Sequence, residues 1–73
     1  MLKVGDILKT GNKSSHKLTM IVISVDNKRD ICQYFYLSAL VFDPSSSHTL
    51  SYVGKVFSGS ASGMKWLNNN TQI

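Results

Sequence analysis

Seventy-three residues, with eight basic and four acidic side chains and a net charge of +4, leave room for one small domain and little else. A chain of this size buries only about 60% of the surface its unfolded form exposes, which leaves no volume for both a core and an elaborate catalytic cavity. A single cysteine excludes an internal disulfide framework and a cysteine-based zinc site.

From the start of the chain, Gly5-Asp6 reads as a turn that opens a first strand over about residues 6–10. Glycine takes backbone angles that other residues resist, and aspartate closes the turn through its side chain. Residues 11–15 form a loop by composition. A second strand is predicted over 17–25, with Leu18, Met20 and Val22 on one face and Ile21, Ile23 and Val25 on the other. Apolar residues on both faces mean a strand that is covered on both sides or one that bends.

Asp26 to Asp30 are all polar or charged and predict a hairpin turn. In the third strand, over 30–37, the set containing Ile31, Gln33, Phe35 and Leu37 is expected toward the core. Cys32, Tyr34 and Tyr36 are then expected to face outward as an aromatic surface, the alternative for Tyr34, Tyr36 and Tyr52 being that they close the small core. Ser38-Ala39 reads as a bend before Leu40-Val41-Phe42, the last of these a core residue, and Asp43-Pro44 stops regular structure. Beyond it the composition predicts a serine-rich loop, short strands near 49–52 and 54–58 with Phe57 in the core, and a flexible stretch over 58–63. Residues 64–67 read as a single turn or a last short strand, with Trp66 packing onto a barrel, and 68–73 as a flexible tail.

Two windows, 19–25 and 34–42, combine strand propensity with few charges and would template aggregation on an open edge. Closing the sheet, or covering an edge in a dimer, removes that hazard. The expected fold is therefore all-β, a small SH3-like barrel of about five or six short antiparallel strands spanning residues 1–67.

The residues Val4-Gly5-Asp6-Ile7-Leu8, Lys17-Leu18-Thr19-Met20 and Ile31-Cys32-Gln33-Tyr34-Phe35 resemble a family of small, largely uncharacterised bacterial proteins, the YodC-like group. Members of that group look like a Gly-Asp opening, a Lys-Met-Thr-Val strand and a Cys-x-Trp-Phe strand. Here Tyr34 stands where tryptophan is usual, residues 12–16 replace the Gly-Gly-Pro before the second strand, and nothing after Phe42 aligns. The resemblance covers about half the chain and implies the barrel, not an activity.

Catalytic and ligand motifs are weak. Asp43, Ser45 to Ser47 and His48 supply the residue types of a nucleophilic triad, but crowd them into one loop, whereas a relay draws its members from separate elements. His16, Cys32 and His48 are scattered, without the paired spacing of a metal site. The stretch from Gly59 to Lys65 lacks the spacing and the following hydroxyl of a phosphate loop. No cofactor and no metal is expected, and the chain reads as non-enzymatic.

What remains is aromatic residues beside basic ones: Tyr34, Tyr36, Tyr52 and Trp66, with Lys9, Lys17, Lys28, Arg29 and Lys55 around them. Such a surface grips extended peptides, or stacks the bases of single strands on top of phosphate attraction. The expectation is a small protein-interaction module, a regulator or inhibitor of a host or cellular protein of bacterial or phage-like origin. The alternative is binding of RNA or single-stranded DNA through the basic N-terminal half, and a third is a homodimer. The longest unbroken apolar run, Met20 to Ile23, is far short of a membrane span, so a cytoplasmic protein without membrane contact is expected.

Overall fold

The structure, a computed structural model, describes residues 2–12 and 14–70. Four strands, β1 (Ile7–Asn12), β2 (His16–Asp26), β3 (Ile31–Val41) and β4 (Val56–Ser60), form one antiparallel sheet in the order β1-β2-β3-β4. A 3-10 helix over Pro44–Tyr52 joins β3 to β4, and a helix, α1 (Ala61–Asn70), follows β4 directly. The all-β expectation holds at the level of the sheet, which has four strands in open order rather than five or six. Among the described residues, no helix is long and apolar enough to cross a membrane.

The inner face of the sheet carries the core, built from Leu8, Leu18, Met20, Val22, Cys32 and Tyr36 and capped by Leu2 and Ala61. Two bulges explain how β2 and β3 reach eleven residues each without losing that face. One falls between Val22 and Ser24, the other opposite the Thr19/Met20 step, where Leu37 is the extra residue. A bulge shifts the alternation by one and bends the strand. The inward set on β2 therefore passes from Leu18, Met20 and Val22 to Val25, and that on β3 from Cys32, Tyr34 and Tyr36 to Ala39. The bulge at Leu37 stands beside the bend expected at Ser38-Ala39, and β3 continues through it to Val41.

The same register corrects the facing of β3. Cys32 is 1% and Tyr36 9% exposed, whereas Ile31 and Leu37, expected inside, are 46% and 44% exposed. Phe42, also expected in the core, is 51% exposed. Phe57 does pack against the core, as expected.

Downstream of β3, Asp43 caps the 3-10 helix by accepting the Ser45 amide at 3.0 Å, with Pro44 in the first turn, where a missing amide costs nothing. Residues 49–52 are thus helical, not the strand expected. The low-complexity stretch over 58–63 is also ordered: it ends β4 and starts α1. Ser60 Oγ accepts the Gly63 amide at 3.1 Å as an N-cap. Residues 68–70 belong to α1 rather than to a tail, and 71–73 lie outside the described residues.

The first turn of α1 holds no acidic residue of its own. The missing carboxylate comes from the β2–β3 turn: Asp30 accepts the Ser62 amide and both the Ser60 and Ser62 hydroxyls at 2.7–2.8 Å. The Asp30 carbonyl oxygen also accepts the Ala61 amide. Negative charge at a helix N-terminus meets unpaired amides and the positive end of the dipole. α1 is thereby stapled against β1 and β4, the two outer strands.

These bonds, led by that from Ser60, hold the Asp30 carboxyl below its ordinary value of 3.8. A depressed carboxylate contributes stability that is complete above the unfolded value and is lost as pH falls through the folded one. Asp30→Asn is therefore expected to lower the melting temperature at about pH 7 and to show a smaller further drop at about pH 3 than the unaltered chain. Equal acid sensitivity of the two proteins in thermal melts would remove Asp30 as the source.

Candidate functional site: the outer face of the sheet

Side chains opposite each other in an antiparallel sheet share a face. Following the register across the four strands gives one continuous row, Ile7 opposite Ile21, Ile21 opposite Phe35, and Phe35 opposite Val56. All four point away from the core. Ile7 and Val56 at the ends of the row are 47% and 49% exposed, and Ile21 and Phe35 between them are half-buried by their neighbours.

The bulges enlarge this row. Each places two consecutive residues opposite one partner, so Ile23 and Leu37 join the outer face as extra apolar side chains, 43% and 44% exposed. Scattered exposed apolar residues are ordinary on a soluble protein; a contiguous group on one face is not.

One register step toward the β1–β2 hairpin the character changes. Lys9 lies opposite Thr19 and Thr19 opposite Ser38; the next outward pair is Lys17 and Leu40. These five residues are among the walls of a shallow depression of about 160 Å³. At the far end of the sheet Asp26 pairs with Arg29 at 3.8 Å and accepts its backbone amide. The outer face therefore grades from two lysines with hydroxyls, through the apolar row, to a neutralised turn.

The expected contact residues separate in the structure. Tyr36, Tyr52 and Phe57 pack with ring centroids 5.1–5.4 Å apart, and Tyr34 joins them at 5.7 Å from Tyr36. Tyr36 is buried, and Tyr34 and Tyr52 are half-buried against the core, so the three do not form an outward stacking platform. Burial, with the neighbouring tyrosines adding to it, pushes the Tyr36 hydroxyl up to about 12. Trp66 is 64% exposed on α1. Lys9 and Lys17 come together, whereas Lys28 and Arg29 sit in the β2–β3 turn. Most of β2, roughly 25 Å of strand, lies between the two basic pairs.

Sequence reasoning missed Ile7, Ile21, Phe35 and Val56. The signal present was the double apolar face of β2, which fits an outer face left for a partner as well as a bend.

Among the described residues no other site assembles. Burial, then the Asp30 charge, raises the Cys32 thiol, which leaves it a poor nucleophile. Asp43 is engaged as a cap, and the His48 ring lies 6.0 Å from that of Tyr52. Among the described residues no three His, Cys, Asp or Glu side chains converge as metal ligands. Compared with family models, with curated proteins and with solved structures, the chain has no match.

Proposed function

We propose that this chain is a non-enzymatic protein-interaction module that docks a segment of another protein on the outer face of its sheet, as a regulator or inhibitor of that protein. The observation that carries the reading is the apolar row Ile7–Ile21–Phe35–Val56, widened by Ile23 and Leu37. Burying such a face is worth roughly 25 cal/mol per Å² of apolar area, and a partner offers the nearest means of burying it.

Kinship with the SH3-like YodC-like group belongs to the same proposal. Its support is a bulged, bent antiparallel meander with α1 lying against both outer strands, which gives a small sheet a closed core without a fifth strand.

Binding of nucleic acid is the weaker reading. Single strands need stacking platforms as well as charge, and the tyrosines that would supply them turn inward. The two pairs of bases at opposite ends of β2 also form no continuous stripe.

Affinity capture with the unaltered chain and with Phe35→Ser tests the docking face. The expected result is a protein that rebinds the unaltered chain in purified form and loses at least about tenfold in affinity to Phe35→Ser, as removal of a central apolar anchor does. Undiminished binding to a folded Phe35→Ser variant would overturn the assignment. So would sedimentation showing that the face pairs with a second copy.

A further inference from the structure

The charge on the outer face says what kind of segment it fits. Lys9 and Lys17 stand on one side of the apolar row, with Thr19 of β2 and, opposite it on β3, Ser38 beside them. Each of the four aspartates of the chain is bonded to a group other than Lys17. Asp6 accepts the Lys3 amide, Asp26 pairs with Arg29, Asp30 holds α1, and Asp43 caps the 3-10 helix. Among the described residues no carboxylate is bonded to Lys17, and the depression of about 160 Å³ beside it is large enough for a carboxylate with its water.

We infer that the docked segment carries carboxylates next to its apolar anchors, and that these bind on the shelf formed by Lys9, Lys17, Thr19 and Ser38. The inference rests on the docking reading above and adds the chemistry of the partner. A depression walled by lysines and hydroxyl residues suits an anion, and charged donors give hydrogen bonds roughly twice as strong as neutral ones. One step along a strand pair is about 6.6 Å, so acid and anchor lie about two residues apart on an extended segment. Lysine on the rim then steers the encounter and fixes register, while the row supplies affinity.

Selection from a random-peptide display library against the full chain tests this. Winning peptides are expected to carry Asp or Glu within a few residues of Ile, Leu, Phe or Trp. Lys17→Glu should bind them about tenfold more weakly, chiefly through the association rate, and Lys17→Gln should fall between. Both exchanges are on a partly exposed strand position and leave the core untouched, which circular dichroism verifies.

Apolar winners without enrichment of acids would overturn the shelf and leave the docking face standing. An absence of winners, with Phe35→Ser indistinguishable from the unaltered chain, would overturn both. Oligothymidylate that displaces the winners, and loses its own binding in Lys17→Glu, would assign the shelf to nucleic acid instead and overturn the inference.

Discussion

Tyr36→Ala is expected to cost about 3–5 kcal/mol, against a total stability of roughly 4–11 kcal/mol for a domain of this length, and so to bring the chain to the edge of unfolding. The ring is 9% exposed and is touched by three others, from Tyr34, Tyr52 and Phe57. Truncation removes its own burial and leaves those three facing a void that the curved sheet cannot collapse to fill. One residue away, Phe35→Ser is expected to cost only about 1 kcal/mol, the scale of a cross-strand pair on an open face. Urea unfolding followed by circular dichroism separates the two, and the reverse order would mean that β3 is turned over.

The same burial has an alkaline signature. An unfolded tyrosine ionises near 10, while Tyr36 in the fold keeps its proton to about 12. Above pH 10 the unfolded chain therefore binds fewer protons than the folded one, and stability falls as pH rises through that window. Tyr36→Phe should lose that step while keeping the ring.

Gly11→Val is the second large effect, at about 2–4 kcal/mol. Gly11 sits in β1 at φ +137°, a region L side chains rarely adopt. A Cβ there would overlap the His16 carbonyl oxygen and lie 3.1 Å from the Lys17 Cα, both backbone atoms that cannot swing aside. The β1–β2 hairpin would have to open at the Gly11–Lys17 pair, which also carries the lysine shelf. Gly5 supplies the control: its φ is also positive, at +94°, but nothing stands within 4 Å of its missing Cβ. Gly5→Ala should cost only about 1 kcal/mol, the price of the backbone angle alone. Thermal melts of the two variants measure the difference; equal losses would mean that the overlap at Gly11 relaxes freely.

Much of the fold was legible in the residues. Gly5-Asp6 marks the entry to β1, where the Asp6 carboxylate accepts the Lys3 amide at 2.9 Å. The β-branched run from Thr19 to Val25 lies in β2, and the polar Asp26 to Asp30 segment is the hairpin turn. Local chemistry decides all of these, through propensity and turn residues acting over a few positions.

The helix α1 was hidden because its decisive partner is distant. Ser60, Ala61 and Met64 have helical spacing, but glycines and serines between them read as a flexible run. The carboxylate of Asp30, thirty residues earlier, supplies the cap that makes the helix hold. The candidate site was hidden for a related reason. Tyr34 and Phe35 are aromatic neighbours on opposite faces, and the one local difference between them, the tyrosine hydroxyl, points to the wrong one as the core residue.

The sequence by itself therefore determined a small antiparallel β protein with short polar turns, since these depend on neighbours along the chain, and a basic balance, which depends on composition alone. Tertiary structure alone decided which side of β3 is inside, because a bulge or a one-residue slip exchanges the two faces at no change in composition. That choice turned the tyrosines inward, carried Ile7, Ile21, Phe35 and Val56 outward in a row, and set Lys17 beside them.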